Sequence, residues 1–181
     1  MFKLVKSGKT FVALDTETTG LNCLTDRIIE IGAVKFNSSG ILDTFQTLIN
    51  PQISISSLIT EITGINNMML EGAPVINEML PSFVEFTKDS ILIGHNVQFD
   101  LRFLKIELER LSRPELNNRV IDTLQFARWA FPENEKYKQT VLAEQLNIPI
   151  HNAHRAGDDA RVCGNIFLQL INQTADRQKY F

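Results

Sequence analysis

Short apolar stretches open the chain, and stretches with a helical period dominate after them. Residues 10–14, 27–36 and 41–49 are rich in β-branched and aromatic residues and are separated by turn chemistry, which predicts three strands. The link Asn37-Ser38-Ser39-Gly40 has the composition of a hairpin connection, so the domain is expected to open on an antiparallel meander. After Pro51 short helical pieces are expected at 55–62 and 66–71, and a longer helix at 75–87. Residues 90–94 read as a fully buried strand that feeds a helix over 97–111. A brief strand at 120–121 precedes helices at 123–130, 139–146 and 156–171, with exposed loops at 112–119 and 131–139. Strands first and helices afterwards predict an α/β chain: one mixed sheet with helices packed against it.

Composition sharpens this without changing it. The 181 residues include 44% hydrophobic and 22% charged residues, the profile of an ordinary globule, and the length suits one domain spanning 1–181. No apolar run approaches the ~18 residues that cross a bilayer, so a cytoplasmic chain with no membrane partner is expected. Cys23 and Cys163 stand far apart and are expected to be reduced, buried thiols. With 18 basic and 21 acidic residues the formal charge is −3, which does not announce a nucleic-acid binder. Scattered bases such as Lys3, Lys6, Lys9, Arg102, Arg113, Lys136 and Lys138 are read as solvated surface.

The acidic residues carry more information. Leu14-Asp15-Thr16-Glu17-Thr18-Thr19-Gly20 ends an apolar strand in two carboxylates two residues apart, which places both on one face of the sheet. Two anions this close repel unless they are solvated or share a cation, and hard divalent ions prefer such oxygen ligands. On a helical period Asp100 aligns with Leu104, Leu108 and Leu111, so it belongs to the inward face of its helix. In His151-Asn152-Ala153-His154-Arg155-Ala156-Gly157-Asp158-Asp159, helical phase puts Asp159 on the stripe of Cys163, Ile166 and Leu170, and Asp158 on a polar stripe facing water. His154 is expected in the loop before that helix, free to lean over the same site. Four inward carboxylates from three distant segments plus a histidine are what two-metal phosphodiester hydrolysis requires. Asp122, in Asp-x-x-Gln, reads as a helix cap rather than a fifth ligand, and Glu30 as a sheet residue with a nearby partner. Phe126, Trp129 and Phe131 are read as core, and His151 as an ordinary loop residue.

At these residues the sequence resembles the DnaQ-like (DEDDh) 3′→5′ exonucleases, which have a ribonuclease H-like fold with a mixed five-stranded sheet. Asp15 to Leu21 resembles the first motif of that family, His95-Asn96-x-x-Phe99-Asp100 the second, and His154-x4-Asp159 the third. The resemblance implies that Asp15, Glu17, Asp100 and Asp159 hold two Mg²⁺ or Mn²⁺ ions and that His154 is the general base. It also implies substrate contacts from Thr16, Thr18, Gly64, Ile65, His95, Asn96 and Phe99. Within the family the motifs are most similar to the proofreading exonucleases of bacterial DNA polymerase III, and Thr63-Gly64-Ile65 resembles the form embedded in a polymerase chain. The expected activity is release of 5′-mononucleotides from 3′ ends of single-stranded DNA, with a DNA polymerase as a partner. Two alternatives stay open: an exoribonuclease like ribonuclease T or oligoribonuclease, and a polymerase-associated interaction subunit. Only residues 171–181 follow the last apolar position of the final helix, so tethering to a polymerase through a long tail is not expected.

Overall fold

The computed structural model describes residues 8–175. Lys3 and Lys6, and all but the first five residues of the short tail, lie outside the described residues. A five-stranded mixed sheet has the order β3-β2-β1-β4-β5, built from β1 (Phe11–Thr18), β2 (Ile28–Asn37), β3 (Gly40–Leu48), β4 (Ile91–Gly94) and β5 (Val120–Asp122). The meander is antiparallel, whereas β4 and β5 run parallel to β1. The helices are α1 (Ser57–Thr63), α2 (Asn67–Glu71), α3 (Ile76–Thr87), α4 (Gln98–Arg110), α5 (Thr123–Ala130), α6 (Gln139–Gln145) and α7 (Ala156–Gln173).

Alternation along β1 builds both layers. Phe11 and Ala13, with Val34 and Phe36 of β2, face α5, α6 and α7, where Phe126, Leu142, Cys163, Ile166 and Phe167 close that core. Val12 and Leu14 face α3 and α4, against Leu80, Phe83, Phe103, Leu104 and Leu108. Buried on both faces, these strands read as near-continuous apolar runs, as central strands do. No described helix is long and apolar enough to cross a membrane.

Two features of the sheet matter for the site. First, β1 does not stop at residue 14 but runs to Thr18, because β2 pairs with it through Glu17↔Glu30. Its other neighbour, β4, pairs only with Phe11–Ala13. The acidic end of β1 therefore projects beyond β4 with one backbone edge uncovered. Second, α7 lies directly on β2: a Cβ at Gly32 would stand 2.1 to 2.2 Å from the backbone of Ala156 and Gly157, so only glycine admits this approach. Cys163 is buried as expected, but Cys23 is only partly so, in the loop between β1 and β2. Phe126 is core and Phe131 packs against it, while Trp129 is 40% exposed.

Candidate active site

The overhanging end of β1 organises the cleft. Asp15 and Glu17 share the parity of Phe11 and Ala13, so both point to the α7 side of the sheet. Asp100 comes from the other layer. Its Oδ1 accepts from the Thr16 amide (2.9 Å) and hydroxyl (2.7 Å), satisfying the backbone edge that β4 leaves open. Asp159, in the first turn of α7, accepts from the Gln139 side-chain amide at 3.0 Å. His154 is exposed in the loop before α7. One donor atom each from Glu17, His154 and Asp159 lies within 4.8 Å of the other two. All four carboxylates and His154 line one cleft, together with Thr16, His95, Asn96, Phe99, Lys138, Gln139 and Thr140.

Crowding of like charges in a recessed site governs its electrostatics. Burial, then the neighbouring carboxylates of Asp100, Glu17 and Asp159, hold Asp15 well above the usual carboxylate range. Burial and the charges of Asp159, Glu30 and Asp100 push Glu17 up to about 8, with Arg155 opposing them. Asp100 is pushed up by burial to about 7 despite the bonds from Thr16, and Asp159 is also raised by burial. Without a cation this cluster retains protons near neutrality. Hard oxygen donors that repel one another fit a divalent cation, whose charge favours the ionised form.

Between about pH 4.5 and about 8 the folded chain holds a Glu17 proton that the unfolded chain has released, so this contribution favours folding at low pH and is lost as pH rises toward 8. Asp100 acts in the same direction between 3.8 and about 7. The cation-free protein is therefore expected to lose thermal stability between about pH 4 and about pH 8, and Mg²⁺ to raise Tm more at the higher pH. Calorimetry with EDTA or Mg²⁺ checks this; a Mg²⁺-induced shift independent of pH would contradict it.

Several of the residues expected to contact substrate have partners within the protein. His95 lines the cleft, but Nε2 is 2.7 Å from the Tyr137 carbonyl and Nδ1 3.0 Å from the Thr123 hydroxyl. A carbonyl only accepts, so Nε2 carries the proton, and burial lowers the ring's pKa below its ordinary value. His95 thus ties β4 to the loop before α6 rather than offering a free nitrogen to substrate. The Thr18 hydroxyl donates to the Gly20 carbonyl at 2.6 Å. Gly64 ends α1 with φ +71°, and Ile65 is fully buried in a small core with Ile29, Ile55 and Leu70; neither lines the cleft. Thr16 serves Asp100, whereas Asn96 is exposed in the cleft and Phe99 packs on Phe103 with ring centroids 5.0 Å apart.

Asp122 caps α5 by accepting from the Leu124 amide and also holds the Asn96 amide. Asp158 faces away from the cleft but not into water: it accepts from the His151 and Asn152 amides and pairs with Arg161 at 2.7 Å, its side chain only 11% exposed. Lys138 and Gln139 are cleft residues that the sequence reading left on the surface or in a loop. A polar pair opening a short helix carries no mark of a partner twenty residues away.

A ribonuclease H-like sheet whose central strand ends in an acidic cleft defines a class of nucleases. An exonuclease family model matches residues 12–167, and the chain belongs to the DnaQ-like exonuclease family. It is 44% identical over 163 residues to the PolC-type DNA polymerase III of Caldanaerobacter subterraneus subsp. tengcongensis, covering 90% of this chain but 12% of that polymerase. It is 42% identical to the DNA polymerase III subunit epsilon of Treponema pallidum, covering 89% of this chain and 76% of that subunit. The chain thus spans a small part of the PolC-type relatives and about three quarters of the epsilon subunit. Its fold is similar to exonuclease X in complex with 5′-overhanging duplex DNA (TM-score 0.74, 24% identity, 91% of this chain and 93% of that one). It is also similar to the nuclease domain of 3′hExo, a DEDDh family member bound to rAMP (TM-score 0.79, 20% identity, 91% and 92%).

Proposed function

We propose that this chain is a single exonuclease domain that removes 5′-mononucleotides from 3′ ends of single-stranded DNA, as a proofreading activity alongside a DNA polymerase in the cytoplasm. The observation that carries this is the convergence of four carboxylates from three distant segments, and an exposed histidine, on one cleft. Relatives named as DNA polymerase III at 42% and 44% identity favour DNA over RNA. Asp15, Glu17, Asp100 and Asp159 would hold two Mg²⁺ or Mn²⁺ ions. Bound there, the ions supply Lewis-acid activation of water and charge stabilisation at the leaving oxygen. The protein's own groups do the rest. A ring nitrogen of His154 takes the proton of the attacking water, the general-base role to which an imidazole is suited. The Phe99 ring supports the terminal nucleotide, and exposed Lys138 supplies a cation at the cleft for its phosphate.

Matched DNA and RNA oligomers, labelled at either end and incubated with Mg²⁺, test the reading. A 3′-labelled DNA strand is expected to lose its label at once as mononucleotide, and a 5′-labelled strand to shorten through a ladder. Faster digestion of RNA would select the exoribonuclease alternative, and release from 5′ ends would reverse the polarity.

A further inference from the structure

Glu30 is fully buried on β2, directly across from Glu17 on β1. A carboxylate in that position is tolerated only if its oxygens are matched by donors. All of its donors come from two places. Arg155 reaches it with Nε (3.1 Å) and a terminal guanidinium nitrogen (2.9 Å), the Ala156 amide donates at 3.0 Å, and Gln46 of β3 donates at 3.0 Å. Arg155 and Ala156 form the junction between the loop that carries His154 and the helix that carries Asp159. The Arg155 carbonyl accepts from the amides of Asp158 (2.9 Å) and Asp159 (3.0 Å), so the same residue opens α7. Two positions along the same face of β2, Gly32 meets the backbone of this junction with no room for a side chain. On the other side of the junction His154 holds φ +61°, a left-handed conformation uncommon outside glycine.

We propose that the buried Glu30–Arg155 pair is a positioning device: it fixes the start of α7 against the catalytic strands, and so sets where His154 and Asp159 stand relative to Asp15 and Glu17. This rests on the exonuclease reading of the cleft. Neither residue touches substrate in this scheme; both act through the backbone of residues 154–159. A guanidinium fork is suited to the task, because two parallel contacts fix orientation as well as distance. The pair also explains how a second glutamate is accommodated beside Glu17, since Arg155 is ion-paired with Glu30 and its charge acts favourably on Glu17.

A role confined to stability and a role in positioning differ in what a neutral replacement restores. In Glu30→Gln/Arg155→Met the glutamine still accepts from the Ala156 amide, and no unpaired charge is left buried. This double variant is expected to keep the Tm of the wild type to within a few degrees while the Asp158 and Asp159 amides exchange with solvent at least about tenfold faster, with β1 and β2 unchanged. Nucleotide release is expected to fall about 100-fold in kcat with KM altered less than about threefold, the scale of loss for a misplaced catalytic group. Arg155→Lys, which keeps the charge but loses the fork, is expected to fall between wild type and the double variant in both readouts, and it serves if the double variant does not fold. Wild-type exchange at Asp158 and Asp159, or wild-type kcat, in a folded double variant would overturn the proposal, as would wild-type exchange in Arg155→Lys. If the wild-type chain released nucleotides from neither DNA nor RNA, the functional reading would fail, and the exchange comparison would still decide the positioning.

Discussion

Asp159→Asn and Asp15→Ala are each expected to abolish cation-dependent nucleotide release, a loss on the order of 10³-fold or more in kcat/KM. Each removes a carboxylate that no neighbour replaces, because the remaining acids are committed to their own places. Asp100 is held by Thr16, and Glu17 stands beside Asp159 and His154. The loss should not reflect unfolding. Asp15 is held well above its ordinary pKa by burial and by its neighbours, so its ionised form opposes folding when no cation is present. Asp15→Ala is therefore expected to match or exceed wild type in Tm at about pH 8 in EDTA, while losing most of the Mg²⁺-induced rise. Asp158→Asn supplies the contrast. It keeps an acceptor for the His151 and Asn152 amides and loses only the ion pair with Arg161, so a loss of a few fold is expected. Comparable losses at Asp158 and Asp159 would refute the assignment of inward and outward faces at the start of α7.

For His154→Ala the expected result is a fall in kcat of about 10² to 10⁴-fold, with binding of DNA and of Mg²⁺ largely retained. His154 sits in the loop that leads into α7, exposed and within 4.8 Å of carboxylate oxygens of Glu17 and Asp159. Its removal leaves all four carboxylates in place, so the Mg²⁺-induced rise in Tm should survive. Single-turnover cleavage of a short DNA oligomer, with calorimetric Mg²⁺ titration of the same variant, separates proton transfer from assembly of the site. Turnover near wild type would remove the base assignment, and loss of Mg²⁺ binding would make His154 a ligand instead.

The sequence determined what periodicity and local chemistry can express. Two-residue spacing put Asp15 and Glu17 on one face, helical phase separated Asp159 from Asp158 and turned Asp100 inward, and cap chemistry assigned Asp122 to the start of α5. These are properties of a single element, fixed by side-chain direction along a strand or helix. The ordered motifs added the family, because their residues need no coordinates to be matched. Tertiary structure decided what depends on sheet order and register. That β1 outruns β4, so that Asp100 can cap Thr16, follows from where two strands 80 residues apart stop pairing. The inward turn of His95 toward Tyr137, the burial of Ile65 and the arrival of Lys138 and Gln139 at the cleft depend on contacts between segments with no shared pattern. Glu30 shows the division most plainly. Its strand is apolar by pattern and its charge looked like an exception, and only the packing of α7 on Gly32 reveals that Arg155 is its partner. Local sequence specifies which way a side chain points; what it meets there is set by which distant element the core brings against it.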